Sequence, residues 1–208
     1  MGCTANFSGC QARPPEQHAD PLFEIGDHAW THGNFAVLSS EEIKQQLLRT
    51  QAQYELLWEQ LRERALAAGI EPQEMAKIPR QPGLFRPPYG RCRQKALAIS
   101  AQLGLPAIQW DVVSADPVLG RTPAQLFQTV LSQARPGSIV VFHANGRGHG
   151  TAAGLPAIIE MLRGQGYEFV TISELLQTGA PVSVPDCYEL RPGDNARYDR
   201  LFGRGTGE

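Results

Sequence analysis

Hydrophobic residues along this chain recur at two spacings, one typical of helices and one typical of buried strands. The longest helical pattern begins at Ser39, where a hydroxyl side chain followed by two acidic residues predicts an N-terminal cap, and it ends at Gly69. Apolar residues recur within this segment at helical spacing, so we predict that one face packs against the core; they are Ile43, Leu47, Tyr54, Leu57, Trp58, Leu61 and Ala65.

Short apolar runs separate the predicted helices. The clearest run, residues 138–142, is uninterrupted and typical of a strand buried on both faces. The other segments follow the same scheme, with strands predicted at 4–7, 22–26, 84–86, 107–110 and 168–172 and helices at 92–103, from 122, and at 152–163. Strands that alternate with helices predict a parallel α/β fold.

The composition fits one globular domain followed by a tail. The chain has 208 residues, of which 42% are hydrophobic and 19% charged. We assign residues 1–178 to the domain and expect residues 179–208, which are rich in Pro, Gly, Asp and Arg, to form an irregular C-terminal extension.

Charge and hydropathy narrow the classes of partner. A net charge of −2 gives no electrostatic case for binding nucleic acid or an anionic membrane surface. No apolar run approaches the length of a transmembrane segment, and the first residues lack the features of a signal peptide, so localisation stays open. We interpret the cysteines at positions 3, 10, 92 and 187 as structural or incidental thiols in preference to a disulfide or metal ligands.

His28 and His32 form the first candidate site. They are four residues apart and follow the end of a predicted strand and a glycine, so both imidazoles can reach one metal ion. The alternative is a pair of exposed loop histidines. The segment Arg86-Pro87-Pro88-Tyr89-Gly90 is the second candidate, because two prolines fix the backbone after an arginine and can direct a following N–H towards an oxyanion. Its alternative is an ordinary proline-rich loop.

A third group follows the ends of two later strands. Trp110 and Asp111 end one predicted strand, and Asp116 lies just beyond it. His143 directly follows the apolar run 138–142, where catalytic residues of parallel folds lie, and histidine is a common general acid, so His143 is a candidate for that role. Either aspartate can orient a histidine, although each can also be a solvated loop residue.

The glycine-rich loop after His143 adds weaker candidates. We interpret His149 as a loop residue, and we place Asn145 and Arg147 where they could contact substrate.

Taken together and in order, these motifs resemble the polysaccharide deacetylase family, the NodB homology domains of carbohydrate esterase family 4. The resemblance covers roughly residues 20–176 and includes four of that family's five motifs. It implies a distorted (β/α) barrel and an enzyme that removes acetyl groups from N- or O-acetylated polysaccharides or oligosaccharides. An acetylated glycan is therefore the expected partner.

The resemblance also implies roles for the candidate residues. His28 and His32 match two ligands of a divalent metal, most often Zn²⁺, with Co²⁺ as another possibility. Arg86 matches the arginine that supports the catalytic base, and the N–H of Tyr89 matches an oxyanion donor. His143 matches the general acid, and Asp116, or else Asp111, would pair with it. Trp110 and Asn145 would contact substrate.

One family motif has no counterpart in this sequence. The family's Asp-Asp strand supplies both the base and the third metal ligand, whereas this chain contains no Asp-Asp pair. We therefore expect the first strand of the barrel to be missing, with the segment around Thr4 matching the second strand. Two alternatives stay open, namely a catalytically inactive glycan-binding pseudoenzyme and an α/β domain with purely structural histidines.

Overall fold

A computed structural model describes the backbone of residues 4–8 and the whole of residues 23–144 and 146–205. The chain divides into two compact units that alternate along the sequence. Unit 1 comprises Met1–Glu24 and Trp110–Ser183, and unit 2 comprises Ile25–Gln109 and Val184–Glu208. This division differs from the single domain over 1–178 that the composition suggested. Within the described residues, no helix combines the length and the apolar character that a membrane span requires.

Unit 1 contains a four-stranded sheet in the order β2-β3-β1-β4. Its strands are β1 (Thr4–Ser8), β2 (Val112–Val113), β3 (Ile139–Val141) and β4 (Glu168–Val170). β2 and β3 are parallel, with Val112 opposite Val140, whereas β1 runs antiparallel to both β3 and β4. The sheet is therefore mixed, and the prediction of an all-parallel arrangement is wrong. The described residues show this mixed sheet and helices, and they do not confirm the distorted (β/α) barrel, lacking its first strand, that the resemblance implies.

Three helices accompany the sheet of unit 1, namely α4 (Pro123–Gln133), α5 (Thr151–Gly164) and α6 (Ile172–Thr178). The start of α4 is fixed by a capping box, in which the Thr122 hydroxyl accepts from the Gln125 N–H and the Gln125 side chain accepts from the Thr122 N–H. Apolar residues of the sheet and the helices share one core, which contains Val112, Leu126, Val130, Val140, Phe142, Ile158 and Leu162. The core holds the carboxyl ends of β2 and β3 in place.

Unit 2 is built around the long helix α1 (Ser40–Ala67), followed by α2 (Pro72–Met75), α3 (Gln94–Gln102) and α7 (Asp194–Phe202). The predicted start of α1 is confirmed, because Ser39 and Glu42 form a reciprocal capping box. The predicted apolar face is only partly buried. Ile43 and Leu47 are fully buried, but Leu57 is 42% exposed and Leu61 is 46% exposed. The second half of α1 therefore contributes less to the core than its spacing predicts.

Three segments of unit 2 meet through isolated parallel bridges rather than through long strands. Asp27 pairs with Phe85, and Phe85 pairs in turn with Ala107. The strands predicted at 84–86 and 107–110 are thus reduced to single paired residues, and in place of the strand predicted at 22–26 the described residues pair only at Asp27, directly after it. The parallel direction is as predicted, and it brings the segment before His28 beside the segment before Arg86. The Asp27 N–H donates to the Leu84 carbonyl at 2.8 Å, and the Arg86 N–H donates to the Asp27 carbonyl at 2.9 Å.

Two expectations about the end of the chain need correction. Residues 179–208 are not irregular throughout, because they include α7. The Asp194 carboxylate supports the start of α7 by accepting from the backbone N–H groups of Glu189, Leu190 and Arg191. Cys92 and Cys187, interpreted above as thiols, form a disulfide across 95 residues of sequence. Cys3 and Cys10 lie outside the described residues.

Candidate functional site

Backbone strain is concentrated at the motifs that the sequence singles out. Among the described residues other than glycine, positive φ angles occur at Ala29 (65°), His32 (61°), Tyr89 (59°) and Ala115 (62°). Such a conformation costs about 1–3 kcal/mol and persists only where the surrounding structure enforces it. Each of these residues lies within a motif or beside a candidate aspartate, so the strained positions coincide with the candidate residues.

His28 and His32 lie together in unit 2, as their spacing predicts. Their ring centroids are 4.8 Å apart and the rings meet edge to face. Nδ1 of His28 lies 2.5 Å from the carbonyl oxygen of Arg86. Because a carbonyl only accepts, this nitrogen carries the proton and Nε2 keeps its lone pair for a ligand.

The protonation of His28 favours the same use. Burial, followed by the positive charge of Arg86, lowers the pKa of His28 to about 3. The imidazole is therefore neutral at physiological pH, and a neutral imidazole binds a metal ion without first losing a proton.

The remainder of a metal site is not found in the described part of the chain. No group of three His, Cys, Asp or Glu side chains among these residues could hold one ion. The nearest carboxyl in sequence, Asp27, is buried with 1% exposure, and its Oδ1 accepts from the Ala29 N–H at 2.8 Å. Burial raises the pKa of Asp27 to about 7. The two histidines thus fit two positions of a zinc site, and the third ligand has no candidate among the described residues.

Arg86 and Tyr89 belong to the same unit as the histidine pair. The His32 and Tyr89 rings meet edge to face with their centroids 4.5 Å apart. Pro88–Gly90 forms one turn of 3-10 helix, closed by the Gly90 N–H to the Pro87 carbonyl at 3.2 Å. Neither proline has an N–H, so Tyr89 provides the first donor after Arg86. That N–H makes no hydrogen bond within the described residues, as an oxyanion donor requires before substrate binds.

Asp116 and His143 form a close pair in unit 1. Nδ1 of His143 lies 2.8 Å from Oδ1 of Asp116, and the His143 backbone N–H donates to Oδ2 at 2.7 Å. The carboxylate is fully buried. Burial by itself raises the pKa of Asp116, but hydrogen bonds from His143 and Thr151 outweigh that effect and hold the pKa below its usual value. An ionised Asp116 fixes the proton of His143 on Nδ1 in the neutral imidazole and stabilises the imidazolium when it forms.

Ser114 and Thr151, which the sequence analysis did not single out, complete the surroundings of Asp116. The Ser114 hydroxyl lies 3.0 Å from Oδ1 of Asp116 and 2.6 Å from the Val141 carbonyl, and the Thr151 hydroxyl donates to Oδ2 at 2.7 Å. Gly148 covers the pair closely, because a Cβ there would lie 2.1 Å from the His143 carbonyl oxygen and 2.7 Å from Oδ2 of Asp116. The sequence offered two signals for these residues, namely the hydroxyl of Ser114 two positions before Asp116 and the Gly-Thr pair at the start of α5. Both features are common in loops.

Asp111 does not lie near His143, contrary to the alternative left open above. It accepts from the Ile139 N–H at 2.8 Å and from the Ser138 hydroxyl at 2.9 Å, both at the start of β3. Asp111 precedes β2, whereas Asp116 follows β2 and His143 follows β3. Because the two strands are parallel, Asp111 lies at their amino ends, and Asp116 and His143 lie at their carboxyl ends. Trp110 is buried with 6% exposure, and Asn145 lies outside the described residues.

The chain is similar to curated deacetylases along most of its length. It is 33% identical over 152 residues to the peptidoglycan-N-acetylglucosamine deacetylase PgdA of Listeria monocytogenes, which covers 73% of this chain and 27% of the relative. It is 28% identical over 156 residues to a peptidoglycan-N-acetylglucosamine deacetylase of Bacillus cereus, which covers 74% of this chain and 49% of the relative. No family model matches the chain.

A solved structure gives the same indication. A CE4 family pseudoenzyme from Bacillus anthracis superimposes with a TM-score of 0.56 at 30% sequence identity, covering 74% of this chain and 46% of the other. The chain belongs to the polysaccharide deacetylase family, carbohydrate esterase family 4. It spans between about a quarter and a half of the length of these relatives.

Proposed function

We propose that this chain is a metal-dependent deacetylase domain that removes the acetyl group from N-acetylglucosamine residues of peptidoglycan. The names of the curated relatives supply the substrate class. The observation that carries the proposal is the Asp116–His143 pair, because a buried and ionised carboxylate on Nδ1 is what a histidine needs to act as a general acid through Nε2.

The proposal assigns one role to His143 in unit 1 and another to Tyr89 in unit 2. Hydrolysis forms a C–O bond from water to the acetyl carbon and breaks the amide C–N bond, and the water gives a proton to a general base, which the family takes from the Asp-Asp motif that this sequence lacks. The imidazolium of His143 gives the proton on Nε2 to the leaving amine, and Asp116 stabilises the charge on the ring until then. The backbone N–H of Tyr89 binds the oxygen on which negative charge develops.

The metal would be held by His28 and His32, with Zn²⁺ the expected ion and Co²⁺ a possible substitute. Nδ1 of His28 is fixed by the Arg86 carbonyl, and this orients Nε2 for the ion. An ion bound there would polarise the acetyl carbonyl. The described residues supply two of the three protein ligands that catalytic zinc sites use.

A second candidate function is that of a glycan-binding pseudoenzyme. Two observations favour it, namely the missing third ligand among the described residues and the 30% identity to a CE4 family pseudoenzyme. In this function the chain binds an acetylated glycan without hydrolysing it.

Acetate release from N-acetylglucosamine oligomers and from peptidoglycan, with added Zn²⁺ or Co²⁺, tests the proposal. We expect release by the wild type and a loss of about 100-fold or more in His143→Ala. His149→Ala is the matched control, because it removes a histidine from the same unit whose ring has no assigned role, and it should keep wild-type activity. Saturable binding of the oligomer without acetate release would establish the pseudoenzyme instead.

Zinc binding by calorimetry separates the metal part of the proposal from the rest. His28→Ala and His32→Ala should each weaken zinc affinity by about 100-fold, whereas His149→Ala should not change it. Equal zinc affinity in all four proteins would remove the histidine pair from the site.

A further inference from the structure

The turn that carries the Tyr89 N–H has a strained backbone. Tyr89 has φ 59° and ψ 7°, is 41% exposed, and is followed by Gly90 with φ 62°. A left-handed non-glycine residue on an exposed turn relaxes unless neighbouring chain enforces it. The contacts that enforce it come from the last part of unit 2.

Residues Cys187–Phe202, which we term the C-terminal clamp, lie directly against Gly90. A Cβ on Gly90 would lie 2.0 Å from the Tyr188 carbonyl oxygen and 3.1 Å from Cα of Glu189, so the clamp backbone crosses the turn at contact distance. The Asn195 side-chain amide donates to the Gly90 carbonyl at 2.9 Å and to the Cys187 carbonyl at 2.8 Å. One amide group therefore joins the carboxyl end of the turn to the clamp.

The clamp is itself fixed on both sides of this crossing. Cys187, the first residue of the clamp, is bonded to Cys92, which lies two positions after Gly90. The Asp199 carboxylate pairs with the guanidinium groups of Arg91 and Arg93, and the Arg91 and Asp199 side chains are only 14% and 13% exposed. The residues immediately after the turn are thus held by one covalent bond and two ion pairs.

We infer that the C-terminal clamp positions the Tyr89 N–H, and that Asn195 is the positioning residue that transmits its hold to the turn through the Gly90 carbonyl. The inference rests on the proposed function in that it gives the Tyr89 N–H an oxyanion to bind. The role assigned to Asn195 is indirect, because its side-chain amide donates to the carbonyls of Gly90 and Cys187. Its effect is to keep the donor in the direction that the strained turn defines.

Amide hydrogen exchange by NMR tests the hold itself in the full chain. The Gly90 and Arg91 N–H groups close the turn on the carbonyls of Pro87 and Pro88, at 3.2 and 2.9 Å. We expect both to exchange about tenfold faster in Asn195→Ala, with no change in the amides of α4 and α5. Asp199→Ala, which loosens the clamp from its other end, should act in the same direction and serves if Asn195→Ala does not fold. Tyr54→Phe is the control, since it removes the hydrogen bond from the Tyr54 hydroxyl to the Pro79 carbonyl elsewhere in unit 2.

Acetate binding to the zinc-loaded protein tests whether the hold serves an oxyanion. In Asn195→Ala the affinity for acetate should fall about tenfold while zinc affinity stays within twofold of the wild type, and Tyr54→Phe should change neither. A purely structural residue would lower both affinities or neither.

The outcomes distinguish this inference from the proposed function. If wild-type protein binds neither zinc nor acetate, the proposed function fails, and the exchange rates alone decide whether the clamp holds the turn. If Gly90 and Arg91 exchange at wild-type rates in both Asn195→Ala and Asp199→Ala, the clamp is wrong. If exchange accelerates but acetate affinity is unchanged, the assignment of Asn195 as a positioning residue for the oxyanion donor is wrong.

Discussion

The candidate residues of unit 1 and those of unit 2 are secured in different ways. In unit 1, Asp116 receives hydrogen bonds from His143, Ser114 and Thr151. Ser114 and His143 lie just after the paired strands β2 and β3, and Thr151 begins α5. In unit 2, the turn at Tyr89 is enforced by residues about a hundred positions later in the sequence. The first arrangement is complete among the described residues. The second depends on residues far along the sequence, and the histidine pair of unit 2 has no third ligand among the described residues.

The disulfide offers the largest test of that contrast. In a background with Cys3 and Cys10 replaced by alanine, adding Cys92→Ala and Cys187→Ala should lower the free energy of unfolding in urea by about 4 kcal/mol, because the bond closes a loop across 95 residues. The denatured background protein should contain no free thiol by Ellman titration. Two free thiols per chain would show that the bond is not formed and would make unit 2 no more dependent on covalent closure than unit 1.

Gly90→Ala should have the next largest effect. The new Cβ would clash with the Tyr188 carbonyl, and the alanine would have to adopt a positive φ angle. We therefore expect a loss of about 3 kcal/mol in the free energy of unfolding. Gly104→Ala is matched to it in φ and in unit, but its Cβ meets nothing within 4 Å, and about 1 kcal/mol is expected. Equal losses in the two variants would mean that the clamp backbone does not press on the turn.

Asp116→Asn tests the arrangement in unit 1. We expect it to lower the free energy of unfolding by about 2 kcal/mol at pH 7, because an amide cannot accept from all of the surrounding donors. The folded pKa of Asp116 lies below its ordinary value of 3.8, so its contribution is complete above that pH and is lost as the pH falls through the folded pKa. Unfolding measured below about pH 4 should therefore show a gap between wild type and variant that narrows as the pH falls. A gap that widens in this acidic range would contradict the assigned direction.

Thr151→Val should have the smallest effect, about 1 kcal/mol, since Oδ2 of Asp116 still accepts from the His143 N–H when the hydroxyl is removed. Thr178→Val, at an exposed position of α6 in the same unit, should change the free energy of unfolding by less than about 0.5 kcal/mol. Thermal unfolding of the two variants side by side provides the measurement. If they are equally stable, the hydroxyl of Thr151 does not contribute to the hold on Asp116.

Features fixed by neighbours in sequence were predictable. The capping residues Ser39 and Thr122 begin α1 and α4 as expected, because a cap is a contact between residues three apart. The order of the motifs likewise indicated the family before any fold was known. His28 and His32 lie together for the same reason, being four residues apart.

Features that depend on how distant segments meet were missed or left open. The choice of Asp116 over Asp111 as the partner of His143 follows from the parallel register of β2 and β3. This register places the two aspartates at opposite ends of the strands. The exposure of Leu57 and Leu61 depends on what packs against α1, and periodicity says nothing of that.

The sequence by itself determined the family, the helix starts and the candidate residues of each unit, since these follow from local spacing and local chemistry. Tertiary structure decided which carboxylate accompanies His143, that Cys92 and Cys187 are bonded, and that the end of the chain holds the Tyr89 turn. The physical reason is that chain closure over many residues brings together groups whose partners cannot be read from their neighbours. The contacts at Gly90 and Asn195 therefore became visible only once the chain was folded.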